Sequence, residues 1–292
     1  MLLRLCEYRN SFCRFSVRGL SVKIAIGWCW LVITIGVSCF VPSSGAGTLF
    51  GFESVGGTWY DAEKTLSNPD DDLMCWAAAA SNVLLATGWA RVTGDLFADE
   101  DDVFTYFQDH WTDNGGSSYY GWEWWFDGTY DGPTEAGWSQ VDVPGGGFWP
   151  GENYGDYVLY SLQDAPAMNN INYLFSNSYG VTLGISGPGA HAITAWGMEY
   201  DDATGDYLGL YVTDSDDSKT SDSPPDLLQY YDVVYSEANT AWYLQNYYGT
   251  NDWYINEVFG LAYRMAPEPS ALTLFLLGAL VLMSGRSRHV RD

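Results

Sequence analysis

The sequence predicts an α+β protein in which the helices come first along the chain and an antiparallel sheet follows. Before Gly180, three runs carry the composition and apolar spacing of helices. After Gly180 the chain changes to short segments rich in aromatic and β-branched residues, separated by turns such as "DDATGD". Because strands and helices do not alternate, this order favours α+β over a parallel α/β sheet.

Three helices are predicted in the first part of the chain. The first spans Cys75 to Ala86, where four alanines favour a helix and Gly88 is suited to end it. The second follows Asp99 as an acid-capped helix, and the third begins near Asp164. Between the second and third, residues 115–155 are rich in glycine and aromatic residues, which predicts a long irregular segment.

Five strands are predicted after the helices, and each is short and followed by a turn. They comprise residues 181–186, 192–200, 207–215, 229–236 and 257–265. The turn "DDATGD" lies between the second and third of these strands, so we expect the two to form a hairpin.

The N-terminal segment has the pattern of a signal peptide. Five basic residues precede an apolar run from Ile24 to Val41, and the small-residue segment "PSSGAG" follows it. We therefore expect residues 1–46 to be removed by signal peptidase and the rest of the chain to be exported. A retained transmembrane anchor is the alternative, because the run has about the minimum length of a membrane span.

The C-terminal segment predicts a second targeting signal. Pro267-Glu268-Pro269 precedes an apolar run from Ala271 to Met283, and three arginines follow. This order resembles the PEP-CTERM sorting signal of Gram-negative bacteria, which implies processing by an exosortase and a surface or extracellular location. An ordinary transmembrane anchor helix is the alternative. In either case we expect membrane contact through this tail, transient if the tail is processed.

Residues 47–265 remain as one predicted domain with a large negative charge. They contain 34 acidic and four basic residues, a formal charge of about −30. Such a surface repels nucleic acid and anionic membranes, so neither is an expected partner of the domain. We expect no cofactor and no metal. Calcium is an alternative at the acidic turns 99–102 and 214–217, but these turns lack its ligand spacing.

Cys75 is the only cysteine that remains once the leader is removed. It stands at the start of the first predicted helix, where the unpaired N–H groups and the macrodipole lower the pKa of a thiol. This position favours a nucleophile. The alternative is a small hydrophobic residue in a core helix.

A cysteine nucleophile needs a base, and the predicted domain contains two histidines. His110 lies beside Asp109 at a helix end and is best explained as a solvated cap. His191 follows a Gly-Pro-Gly corner at the start of an apolar strand. The predicted hairpin would bring Asp214 beside this imidazole and set its tautomer. Cysteine, histidine and then an orienting side chain is the order found in papain-like enzymes.

Two segments resemble the IdeS/Mac immunoglobulin-degrading cysteine peptidases of streptococci. They are "GTWYDAEKTLSNPDDDLMCWAAAASNVL" around Cys75 and "HAITAWGMEYDDATGDYLGLYVTDSD" from His191 onward. The resemblance implies a papain-like fold with a helical N-terminal lobe and an antiparallel β-sheet C-terminal lobe. It does not cover residues 90–180, and Trp76 stands where a small residue is expected, so the substrate does not transfer.

The same resemblance implies roles for five residues. Cys75 is expected to be the nucleophile and His191 the general base, with Asp214 orienting the imidazole. Asp216 is expected close to the same site. Lys64 is expected to contribute to the oxyanion hole together with the backbone N–H of Cys75.

The sequence therefore predicts a secreted or surface-sorted cysteine endopeptidase that acts on a protein or peptide substrate through a thioester acyl-enzyme. Two alternatives remain. The first is a peptidoglycan amidase or another cysteine-dependent acyl transferase. The second is a non-catalytic binding module of an exopolysaccharide matrix, in which the aromatic cluster Tyr119 to Tyr130 would stack on sugars.

Overall fold

The computed structural model describes residues 45–264, apart from 95, 162–163, 217–220 and 222–224. Residues 1–44 and 265–292, which hold nearly all of the predicted signal peptide and the whole predicted sorting segment, lie outside the described residues. The helices and strands, in chain order, are β1 Ala46–Phe50, α1 Cys75–Thr87, α2 Glu100–Gln108, α3 Ser118–Asp127, β2 Val158–Ser161, α4 Ala167–Ser176, β3 Tyr179–Ser186, β4 Ala190–Asp201, β5 Tyr207–Thr213, β6 Gln229–Ser236, β7 Ala241–Leu244 and β8 Trp253–Ala262.

These eight strands form one antiparallel sheet. Six of them, in the order β4-β3-β8-β7-β6-β5, close into a ring, because β5 also pairs with β4. The other two extend the ring at its outside, where β1 pairs with β4 and β2 pairs with β8. The hairpin predicted between β4 and β5 is confirmed.

The predicted fold class is wrong. We expected an α+β, papain-like fold with a helical N-terminal lobe and a separate antiparallel β-sheet C-terminal lobe. A closed six-stranded antiparallel sheet dominates instead, and the four helices are only 9 to 13 residues long. Strands β1 and β2 precede Gly180 and pair with strands that follow it, so the sheet is not confined to the C-terminal part. Closure depends on pairings distant in sequence, which local periodicity does not encode.

The expectation of a transmembrane segment is corrected for the described residues, whereas the apolar runs 24–41 and 271–283 lie outside them. Within the part of the chain that the structure describes, no helix combines the length and the apolar character needed to cross a membrane. The longest of these helices, α1, has 13 residues, whereas a spanning helix needs about 20.

Most of the individual helices and strands were predicted correctly, although the fold class was not. Helices α1, α2 and α4 are confirmed, as are strands β3, β4, β5, β6 and β8. Helix α3 lies inside the segment predicted to be irregular, because glycine lowers helix propensity and concealed it. Gly121 in α3 is required by packing: a side chain there would come within 2.8 Å of the Trp76 ring. The short strands β1, β2 and β7 were not predicted.

Apolar residues form two clusters, one inside the ring and one outside it. Helix α4 and the inward residues of the six strands fill the interior. The second cluster joins α1, α2 and α3 to the outer face of β8. Trp122, Trp124, Trp125 and Phe126 of α3 are fully buried in it, so these four rings cannot stack on sugars.

Helix α1 is buried on nearly all sides, as expected for a helix that is apolar around its circumference. It contacts α2 and α3 on one side and strands β3, β4 and β8 on the other. One polar residue in its middle ties these layers together. Asn82 accepts a hydrogen bond from the Ala62 N–H at 2.7 Å and donates one to Thr194 of β4 at 3.1 Å.

Replacing Asn82 with alanine should therefore destabilise the protein. The change leaves the buried Ala62 N–H and the Thr194 hydroxyl without this partner, which we expect to lower the free energy of unfolding by about 3 kcal/mol. Asn153→Ala, at an exposed asparagine, is the matched control and should change it by less than about 0.5 kcal/mol. Urea titration measures the free energy of unfolding of both variants. Equal effects of the two substitutions would contradict the proposed role of Asn82.

Candidate active site

Cys75 is the first residue of α1, and its half-buried thiol opens into a cleft. The cleft has a volume of about 380 Å³ and lies between the start of α1, the 115–118 segment and strands β3, β4 and β8. The N–H of a first helical residue has no partner within its helix. The cleft is thus bordered by the thiol of Cys75 and by the N-terminal end of α1, where the N–H groups have no partner within the helix.

His191 lies at the start of β4 and lines the same cleft. Its Nε2 lies 2.6 Å from Oδ1 of Asp214, which directly follows β5. The antiparallel pairing of Thr194 with Thr213 causes this contact, because it sets the start of β4 beside the end of β5. With Nε2 engaged, Nδ1 is the imidazole nitrogen left to hydrogen-bond the thiol of Cys75.

The electrostatics favour a thiolate paired with an imidazolium. Burial by itself raises the pKa of Cys75, but the hydrogen bond and charge of His191, the charge of Lys64 and the Ala192 N–H outweigh it and lower that pKa. Burial likewise opposes the charge on His191, yet Asp214 and Cys75 raise its pKa to about 10. Both shifts favour the state in which the proton resides on His191 and not on Cys75.

Asp214 is buried and remains ionised because four groups donate to it. Burial alone raises its pKa, and the His191 hydrogen bond and charge, the Tyr247 hydroxyl and the Asp216 N–H lower it overall. Tyr248 donates to Oδ2 at 3.0 Å, the same oxygen that Tyr247 contacts. A carboxylate with this many donors is fixed in orientation, and so is the imidazole bound to it.

The two tyrosines were missed by the sequence analysis. They stand in the turn "NYYGT" after β7, more than thirty residues from Asp214 in sequence. Asn246 and Tyr248 both have positive φ angles, of 59° and 48°, which are uncommon for residues with side chains. The hydrogen bonds of these two tyrosines depend on β7 lying near the end of β5 in the closed sheet, so no local pattern in the sequence predicts them.

Lys64 and Asp216 form an ion pair beside the thiol. The Lys64 ammonium lies 2.7 Å from Oδ1 of Asp216 and donates to the Asp72 carbonyl at 2.9 Å. Its side chain is only 2 % exposed, which is rare for lysine. Asp216 lies 3.8 Å from Nδ1 of His191, so its short contact is with Lys64. All five residues predicted for the site are thus brought together.

Trp76 and His110 stay outside the cleft. Trp76 is buried against Phe107 and Trp111 and donates its indole N–H to the Asn114 carbonyl, so it supports the cleft wall from behind. A side chain at Gly116 would come within 2.5 Å of that indole. His110 hydrogen-bonds the Tyr106 carbonyl through Nδ1 at 2.7 Å, in a separate part of the structure.

No group of three or more histidine, cysteine or acidic side chains within the described residues is arranged to hold a metal ion. In the acidic turn at 99–102, Asp99 caps α2 by accepting from the Asp102 N–H at 3.0 Å. In the turn at 214–217, Asp214 and Asp216 are occupied by His191 and Lys64, and Asp217 lies outside the described residues.

No protein-family model matches the chain, and no curated protein matches it either. The resemblance to the IdeS/Mac peptidases and to the PEP-CTERM signal therefore stays a prediction.

The lowered pKa of Cys75 predicts the pH dependence of its alkylation. The thiolate is the reactive form, so the iodoacetamide rate should rise with pH and reach half its maximum below pH 9.0, the ordinary thiol value. Peptide mass spectrometry follows labelling of Cys75 in the full chain.

In His191→Ala the burial of the thiol remains but the imidazolium is lost, so the midpoint should move to higher pH. His110→Ala, which alters a histidine outside the cleft, is the control and should leave the midpoint unchanged. A wild-type midpoint at or above pH 9.0 would contradict the ion pair.

Proposed function

We propose that this protein is an exported cysteine endopeptidase that hydrolyses peptide bonds through Cys75, His191 and Asp214 and a thioester acyl-enzyme. One observation carries the proposal: a hydrogen-bonded series from thiol to imidazole to buried carboxylate at the edge of a cleft. The cleft volume of about 380 Å³ falls within the range of ligand sites. Export is inferred from the sequence of the leader and the tail.

In the first half of the reaction, the Cys75 thiolate attacks the carbonyl carbon of the scissile amide. The negative charge moves to the carbonyl oxygen, which we assign to the Cys75 N–H and the Lys64 ammonium. His191 then transfers its proton to the leaving nitrogen, the C–N bond breaks and the amine departs. The acyl group remains on the sulfur as a thioester.

In the second half, neutral His191 takes a proton from water, and the resulting hydroxide attacks the thioester carbonyl. The C–S bond breaks, the carboxylic acid is released and the thiolate–imidazolium pair is restored. Asp214 holds the imidazole in one orientation throughout, because its own oxygens are held by Tyr247, Tyr248 and the Asp216 N–H.

The first test is loss of the nucleophile and of the base. Cys75→Ala should abolish hydrolysis with little change in melting temperature, and His191→Ala should lower kcat by several orders of magnitude. Asp214→Ala should lower kcat by a smaller factor, because Asp214 holds the imidazole in one tautomer and transfers no proton.

Mass spectrometry of peptides released from a mixed proteome measures these activities and identifies the bonds that are cut. His110→Ala is the control and should retain full activity. Turnover by Cys75→Ala would end the proposal. Release of peptidoglycan fragments, with no cut in any protein, would instead favour the amidase alternative.

The ion pair of Lys64 with Asp216 makes a separate prediction. Lys64→Met removes an oxyanion donor at nearly constant volume and should lower kcat by about 100- to 1000-fold. If Asp216 acts by positioning Lys64, then Asp216→Asn should lower kcat by a smaller factor than Lys64→Met does. The double variant should then have a kcat no lower than that of Lys64→Met alone. Multiplicative losses in this double-mutant cycle would show that Asp216 acts independently of Lys64.

A further inference from the structure

The side of the cleft formed by β3 and β8 has a feature that the proposed chemistry does not use. Gly184 pairs with Glu257 and Ile185 pairs with Ile255, so Asn256 is an extra residue in β8. Such a bulge interrupts the alternation of side chains along a strand. Ile255 and Val258 both point into the core of the ring, while Asn256 and Glu257 both line the cleft.

Hydrogen-bond acceptors converge on this part of the cleft without partners. Thr182, on β3 and only 1 % exposed, has a hydroxyl with no partner among the described residues, and the same holds for Oδ1 of Asn256. The carboxyl group of Glu257 forms no ion pair or hydrogen bond within the described residues, and burial raises its pKa. Because unpaired buried polar groups are costly, the oxygen atoms of Thr182 and Asn256 are suited to accept hydrogen bonds from a substrate.

The surroundings provide room for a long side chain. Glu257 lies across Gly184: a Cβ there would come within 2.6 Å of Oε2, so only glycine leaves the carboxylate in this place. Phe259 forms an apolar wall of the cleft, and its ring stacks on Tyr160 at 5.0 Å. Ala192 of β4 pairs with Gly184, and its small side chain leaves space on the side of Gly184 opposite Glu257.

We propose that this pocket binds a lysine or arginine side chain of the substrate close to the scissile bond, with Glu257 as the residue that selects positive charge. The proposal rests on the proposed peptidase function. An ammonium or guanidinium group supplies only donors, which matches the acceptors of Glu257, Asn256 and Thr182. The methylene stem would lie along Phe259, and the formal charge of about −30 on residues 47–265 draws cationic substrates to the protein.

Matched peptides test this selectivity. Internally quenched peptides, taken from bonds cut in the proteome experiment, would carry lysine or the uncharged norleucine at each position in turn, and likewise arginine or citrulline. For at least one position we expect the cationic peptide to have a kcat/KM about 10- to 100-fold higher, the value of a hydrogen bond to a charged group. Glu257→Gln should remove this preference. Glu237→Gln removes the same charge at an exposed turn and should retain it.

A second measurement needs no variant and therefore does not depend on whether Glu257→Gln folds. N-acetyl-lysine methylamide should slow alkylation of wild-type Cys75 more than the norleucine analogue does at equal concentration. Equal protection by both, or a lysine preference that survives in folded Glu257→Gln, would overturn the pocket and leave the peptidase intact. If the wild type cuts no peptide although Cys75 is alkylated normally, the peptidase proposal fails and the substrate pocket fails with it.

Discussion

The burial of α1 against the outer face of the closed sheet is the constraint on which the rest of the molecule depends. The helix is apolar on all sides, so it is covered by α2 and α3 on one side and by the sheet on the other. Asn82 fixes its position through hydrogen bonds to β4 and to the segment before the helix. Because Cys75 is the first residue of α1, the same packing that buries the helix places the thiol beside His191.

The site contains charges that burial alone would suppress, and their pairing explains why they persist. Burial raises the pKa of Asp214, but three donors, namely His191, Tyr247 and the Asp216 N–H, lower it overall. Asp214 in turn raises the pKa of His191, and His191 lowers that of Cys75. The buried Lys64 is compensated by Asp216 and the Asp72 carbonyl. Removal of one member leaves its partner as an uncompensated charge, so substitutions here should be strongly coupled.

The ends of two strands supply one side of the cleft, and a bulge supplies the other. On one side, His191 and Asp214 come from the start of one strand and the position just after its neighbour. On the other, a bulge in β8 turns Glu257 out of the core and toward the same space. Counted from the inward-facing Ile255, a regular ladder would have directed Glu257 into the core. The proposed chemistry and the proposed selectivity thus both depend on where regular pairing ends.

The sequence by itself determined the local structure, and its resemblance to a known family indicated the five residues of the candidate site. The helix at Cys75, the hairpin between β4 and β5 and the approach of Asp214 to His191 depend on near neighbours or on a single turn, so composition and spacing encode them. Only the tertiary structure decided the rest. Closure of the sheet, the donation of Tyr247 and Tyr248 to Asp214 and the partnership of Lys64 with Asp216 join parts of the chain that are distant in sequence. Such contacts are selected by the packing of the whole chain, which no local pattern records.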